Sequence, residues 1–141
     1  AIWEGPFVAS GVTAGENYSV LVKGPKHLQR KFCTQNPTDR GEEGFPYRCL
    51  GAGTLAIVNN TTLDFASVLL QAGDLPGGQA SGQDGIVNAY DVSLVLNMVR
   101  NGQSELAADL VIADMDLNGV VNAKDRSYLI ETLEEKYGDE E

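Results

Sequence analysis

The chain has 141 residues, 43% of them hydrophobic and 21% charged, enough to bury one good core or two small ones helped by metal or disulfide. Its formal net charge is −10, from 20 acidic against 10 basic side chains, and so acidic a surface argues against nucleic acid or anionic membrane as a partner. No apolar run approaches the roughly 20 residues of a membrane helix, so no membrane insertion is expected.

The charge is not spread evenly. Residues 1–73 hold six acids (Glu4, Glu16, Asp39, Glu42, Glu43, Asp64) and six bases (Lys23, Lys26, Arg30, Lys31, Arg40, Arg48). The other 14 acids and four bases lie in residues 74–141, which therefore carry the whole imbalance. That split predicts two modules, 1–73 and 74–141, with a boundary near Gly73-Asp74. The opening Ala1-Ile2-Trp3-Glu4 lacks the basic n-region of a signal peptide and reads as a mature or trimmed form.

Residues 1–73 read as an antiparallel β-sandwich-like module. Trp3, Phe7 and Val8 lie in a short apolar opening broken by Gly5-Pro6. Residues 17–24 alternate Tyr18, Val20 and Val22 with Ser19, Leu21 and Lys23, as a half-buried strand does. Residues 28–33 read as a polar, edge-like strand and residues 47–49 as its return. Residues 54–58 and 63–65 read as strands separated by the turn pair Asn59-Asn60, and residues 67–71 close the module. Cys33 and Cys49 flank a loop of turn-formers and read as a disulfide, which would contribute roughly 3 kcal/mol by loop closure. The alternative is two buried thiols in a reducing compartment; no CxxC or nearby His spacing gives them a zinc site. The only histidine, His27, reads as an exposed residue at a strand start. Nothing around it signals a nucleophile elbow or an oxyanion hole, and no enzyme activity is expected.

About six short strands make a thin sandwich. Either an upstream part of the fold has been removed, or a neighbouring molecule's strand completes the sheet. In the second case Trp3 and Phe7 mark the assembly contact, and its head-to-tail repetition builds a filament.

Residues 74–141 carry the clearest chemistry. Asp114, Asp116, Asn118, Asn122 and Asp125 occupy the first, third, fifth, ninth and twelfth positions of a twelve-residue stretch. Gly119 is sixth, where a calcium loop of the EF-hand kind turns sharply, and the carbonyl of Val120, seventh, adds another oxygen. A hard cation takes six to eight oxygens at about 2.3–2.6 Å, and this spacing supplies them from one short segment. Val121, eighth, has the β-branched shape that packs two such loops side by side. The alternative is an acidic turn in which Asn122 or Asp125 caps a helix.

Asp84-Gly85-Ile86-Val87-Asn88-Ala89-Tyr90-Asp91 matches residues 118–125 position for position, 34 residues upstream (118 − 84). Helices are expected after each stretch, over residues 91–100 and 123–137, with a short connecting helix over 105–112. Met98 and Met115 read as core filler. The acidic tail from Glu134 reads as a solvated end.

A loop of the form D-x-D-x-N-G-x-V-N-x-x-D, ending on Asp125 rather than Glu, resembles the calcium-binding repeat of dockerins. The resemblance implies two loop–helix repeats, two Ca2+ ions, and a non-catalytic module that docks on a cohesin-like protein outside the cell or at its surface. Two such ions would offset 4 of the 10 net charges. Dockerin loops commonly begin Gly-Asp, as Gly73-Asp74 does, which makes Asp74 the first ligand and residues 76–83 the carrier of an insertion. Asp74, Asp84, the Ile86 carbonyl, Asn88 and Asp91 would then form the first site; the alternative is an empty loop held by hydrogen bonds alone. Dockerins that bind cohesin usually show a Ser-Thr-like dipeptide at the tenth and eleventh loop positions. Here those positions are Ala89-Tyr90 and Ala123-Lys124, so bracing of the β module stands beside docking as a role. Residues 11–22 are similar to the turn and strand of transthyretin-like or carboxypeptidase-regulatory-like β-sandwiches.

The expected fold class is α+β, a β-sandwich-like module followed by a small all-α pair of calcium loop–helix repeats. The competing function is a structural subunit that assembles with copies of itself into an extracellular filament or surface layer.

Overall fold

Four short strands precede three helices: β1 (Asn17–Tyr18), β2 (Val20–Val22), β3 (Arg30–Phe32), β4 (Leu55–Ala56), α1 (Ala89–Met98), α2 (Ala107–Ala113) and α3 (Ala123–Glu135). This is an α+β chain, with antiparallel strands in its N-terminal half and helices in its C-terminal half. The structure, a computed structural model, describes residues 5, 8–37, 47, 49, 54–77, 82–100, 102–135, 138 and 139. Trp3 and Phe7, the residues expected to mark an assembly contact, lie outside the described residues. Two compact units are present, one holding Ala1–Val22 and Arg30–Leu69, the other holding Lys23–Gln29 and Leu70–Glu140. The connection between β2 and β3 thus belongs to the second unit.

In the first unit the alternating stretch 17–24 is broken at Ser19. β1 pairs antiparallel with β4, placing Tyr18 opposite Leu55, whereas β2 pairs antiparallel with β3, placing Val20 opposite Phe32 and Val22 opposite Arg30. Among the described residues this gives two two-stranded sheets. Phe32 is buried between aromatic neighbours, its ring centroid 4.0 Å from Phe65 and 5.5 Å from Tyr47, and Leu55 and Val68 are buried as well. Stacked rings at such separations add about 0.5–1.5 kcal/mol per pair beyond their burial. The Cys33–Cys49 disulfide is present, with Cα atoms 5.7 Å apart, within the usual range for a bridge. The Cys33 N–H donates to the Tyr47 hydroxyl at 3.2 Å.

Residues 63–65 and 67–71 are not strands, against expectation. The Ala66 N–H donates to Asp64 Oδ1 (3.0 Å) and the Val68 N–H to the Phe65 carbonyl (3.0 Å). An Asp that binds the backbone two residues on makes a turn and withdraws that donor from a ladder. The Asn59-Asn60 turn does form, closed by the Thr61 N–H on the Val58 carbonyl (3.1 Å) with Asn60 at φ 61°.

The second unit is built on one apolar cluster: Leu28, Leu75, Val87, Val95, Ala113, Met115, Val121 and Leu129. α1 starts at Asn88, whose side chain accepts the Tyr90 N–H (2.7 Å) while Asp91 accepts the Asn88 N–H (2.9 Å), a reciprocal capping box. It stops at Val99, where the Gly102 N–H reaches the Val99 carbonyl (2.9 Å) and Gly102 turns the chain at φ 112°. α3 buries Leu129 and packs Ile130 and Leu133 beside it, the i, i+1, i+4 set of one helical face. The Thr132 hydroxyl donates to the Ala72 carbonyl (2.6 Å) and the Gln71 amide to Glu135, which ties α3 to the segment leading into the first loop.

Two further differences from the sequence reading concern this unit. His27 is not exposed: it bridges to Ala72, and its Nδ1 is buried. Burial, with the Lys26 charge beside it, holds the His27 pKa below the ordinary histidine value. The tail is not wholly a solvated end, because Gly138 bridges to Ile86 and the Asp139 N–H donates to the Gly85 carbonyl (2.8 Å). The Val121 backbone exchanges hydrogen bonds with Ser104 at 2.7 and 2.8 Å. Val87 and Val121 share the apolar cluster through their side chains. No helix among the described residues is long and apolar enough to cross a membrane.

Candidate metal centre

The second loop runs from the end of α2 to the first turn of α3. Asp114 is the C-cap of α2, and Asp125 is the third residue of α3. Both are buried, at 5% and 0% exposure, so neither carboxylate is free to be solvated in the ordinary way. Backbone amides hold them instead. Asp114 accepts the N–H groups of Asn118 (Oδ1, 3.1 Å) and Gly119 (Oδ2, 2.9 Å). Asp125 accepts those of Met115 (Oδ1, 2.7 Å) and Asn122 (Oδ2, 2.9 Å). Gly119 adopts φ 87°, the left-handed turn that the sixth position requires, and Leu117 sits at φ 58° beside it.

These bonds use one lone pair on each oxygen and leave another free to face inward. Asp114, Asp116 and Asp125 each offer an oxygen, and the three atoms lie within 4.8 Å of one another. Ligands at about 2.3–2.6 Å from a shared calcium ion can stand up to about 5 Å apart, so the three carboxylates fit one hard cation. Among the described residues they are the one such group of three. Asn118 and Asn122 stand at the fifth and ninth positions, their side-chain oxygens accepting the Val120 (2.9 Å) and Lys124 (2.8 Å) N–H groups. Lys124, more than half exposed, places its ammonium 2.6 Å from Asp116 Oδ2. Asp116 loses a little solvation, but that ammonium outweighs the loss and holds its carboxyl below the usual range.

The first loop repeats the same frame. Asp74 accepts the N–H groups of Asp84 (Oδ1, 3.1 Å) and Gly85 (Oδ2, 3.3 Å), the partners that correspond to Asn118 and Gly119. Asp91 accepts those of Leu75 (Oδ1, 3.0 Å) and Asn88 (Oδ2, 2.9 Å), which correspond to Met115 and Asn122. Asp74 therefore has the hydrogen-bonding role of Asp114. The offset between the loops is 40 residues at that position (114 − 74) and 34 at the fifth (118 − 84), so six extra residues lie between Leu75 and Asp84.

The two loops differ in what they gather. Asp74, Asp84 and Asp91 form no group comparable to the carboxylates of the second loop. Pro76 stands third from Asp74 and Gly82 third on the count back from Asp91; neither side chain has an oxygen to offer. Asp84 is turned to its own loop, accepting the Ile86 N–H (3.1 Å). Burial raises the pKa of Asp91 and of Asp74, opposed at Asp91 by its two amide donors and at Asp74 by Lys23.

Lys23 was not legible as part of this region, nor was Asp139. The Lys23 ammonium lies 2.8 Å from Asp74 Oδ2 and 2.5 Å from Asp139 Oδ2. Burial alone would lower the Lys23 pKa, but its bonds to Asp139 and Asp74 and their charges outweigh that and raise it. Gln83, inside the insertion, donates its amide to the carbonyls of Gly24 (3.2 Å), His27 (3.0 Å) and Asp74 (2.7 Å).

Residues 82–134 match the family model described as dockerin type I domain. No curated protein and no solved structure matches the chain. The matched stretch holds the complete second loop, the regular part of the first, and all three helices but for the final residue of α3. Dockerins are calcium-binding, non-catalytic modules through which one protein docks on another. The chain carries a dockerin-like module, C-terminal to a small β region.

Proposed function

We propose that residues 74–141 are a calcium-folded docking module that joins a β module, residues 1–73, to a cohesin-like protein partner outside the cell or at its surface. Asp114, Asp116, Asn118, the Val120 carbonyl, Asn122 and Asp125 would hold the ion of the second loop. The single observation that carries this is the group of three carboxylates within 4.8 Å, set in a loop that lies inside the dockerin match. Two of those carboxylates are buried, and a buried negative cluster is costly unless a cation offsets it.

The tenth and eleventh loop positions offer the partner a surface. Ala89-Tyr90 and Ala123-Lys124 are all exposed at the starts of α1 and α3, one aromatic in its second residue and the other cationic. The two copies therefore present different chemistry, and the partner would read one repeat in preference to the other. The test is binding of the full chain to a panel of cohesins by calorimetry, with calcium and with chelator. Binding in calcium alone, weakened more than about 10-fold by Tyr90→Ala or by Lys124→Glu with the circular dichroism spectrum unchanged, supports the reading, since an aromatic or charged anchor commonly carries 1.4 kcal/mol or more. Binding that survives both changes, or that ignores chelator, contradicts it.

A further inference from the structure

We propose that the first loop takes no calcium ion, and that the Lys23 ammonium, delivered by the β2–β3 connection, is its permanent cation. The loop has kept the amide frame of a calcium loop around Asp74 and Asp91, but neither Pro76 nor Gly82 supplies a third-position oxygen, and its described residues gather no group of three carboxylates. Its first-position carboxylate, Asp74, is fully buried and already holds Lys23 at 2.8 Å. A calcium ion ligated by Asp74 Oδ2 would lie within about 5.5 Å of that ammonium, and two cations so close in a partly buried site repel strongly. The second loop differs at the same position. Asp114 has the equivalent amide bonds, and its loop's lysine, Lys124, reaches Asp116 from an exposed perch.

The rest of the surroundings are arranged to keep Lys23 where it is. Asp139 also binds the ammonium, its Oδ1 accepting the Gln29 N–H (2.6 Å) and its own N–H donating to the Gly85 carbonyl (2.8 Å). Gly85 permits that approach, since a Cβ there would meet Asp139 Oδ2 at 2.9 Å. The connection that carries Lys23 is fixed by buried Leu28, by the Gly73 N–H on the Lys26 carbonyl (2.8 Å), and by Gln83 from the insertion. The six extra residues thus go with a change of cation, from a divalent ion taken from solution to an ammonium supplied by the chain. Because the lysine is covalently part of the chain, this half of the module stays closed whatever the calcium concentration.

The inference concerns the first loop alone, and the experiment separates it from the reading of the second. Calcium stoichiometry of the full chain, measured by equilibrium dialysis, is expected to be one per chain. Asp84→Ala, at an exposed fifth position, should leave it at one with affinity changed less than two-fold, and Asp116→Ala should remove it. Two equivalents in the parent chain, or a fall from two to one in Asp84→Ala, would overturn the proposal. In saturating calcium, Lys23→Gln should lower the melting temperature by about 5 °C or more, because it strands a buried carboxylate. If the lysine were only an obstacle to calcium, its removal would leave the melting temperature unchanged or raise it, and that result also overturns the proposal. If no calcium binds at all, the reading of the second loop fails and the Lys23→Gln melt alone decides the first.

Discussion

Asp125→Ala is expected to abolish calcium binding by the second loop and to destabilise the C-terminal unit by about 3 kcal/mol or more even without metal. Asp125 is fully buried, and its two oxygens satisfy the backbone N–H groups of Met115 and Asn122. Alanine leaves both donors without their partner, and a buried unsatisfied donor costs about 1–3 kcal/mol. It also removes the carboxylate that brings the start of α3 to the cation, so the metal-linked part of the folding free energy is lost as well. A calcium titration together with a urea melt measures both effects. Near-parental affinity, or a melt within about 0.5 kcal/mol of the parent, would show that the carboxylate has no such double role.

The second large effect is expected at Gly73, one residue before the first loop. Gly73 adopts φ 124°, and a Cβ there would meet Leu129 Cγ and Val87 Cγ1, each at 3.1 Å. Both neighbours belong to the apolar cluster, and Leu129 is wholly buried. Gly73→Ala therefore combines an unfavourable backbone angle with overpacking, for about 2–4 kcal/mol together. Leu129→Ala should cost about 2–5 kcal/mol by opening a cavity at the same point. Since the cavity makes room for the added methyl, the double variant should lose less than the sum of the two single losses. Strict additivity in urea melts would mean that the methyl is not accommodated where the structure places it.

How much of this could be read from the chain depends on how local the determinants are. The second loop was legible because its carboxylates sit at fixed offsets within twelve residues, and the structure gathers Asp114, Asp116 and Asp125. The helices were legible for a similar reason, Leu129, Ile130 and Leu133 repeating on one face, but the capping box of Asn88 and Asp91 went unread and starts α1 at Ala89 rather than at residue 91. Asp74 could be matched to Asp114 only through its Gly-Asp opening, which resembles the start of dockerin loops, since the insertion removes the spacing that would identify it. Lys23 and Asp139 gave no signal, because they meet across 116 positions and nothing in their neighbourhoods marks a cation or its cage. In the β half, the alternation of residues 17–24 correctly suggested half-buried strand. Alternation does not name partners, however, and it concealed the switch at Ser19 between β4 and β3. Asp64 was read as part of a strand, where its side chain makes a turn.

Far-ultraviolet circular dichroism of the full chain, recorded in calcium and again after excess chelator, tests the central claim most directly. The second loop places two buried carboxylates and a third beside them around one point, at the N-terminus of α3 and the end of α2. Without a divalent cation their mutual repulsion acts against the closed loop, and the metal's binding free energy is part of what folds the helices. The expected result is a loss of helical signal on chelation, restored by calcium. A helical spectrum and a melting temperature that are the same in chelator as in calcium would contradict the account.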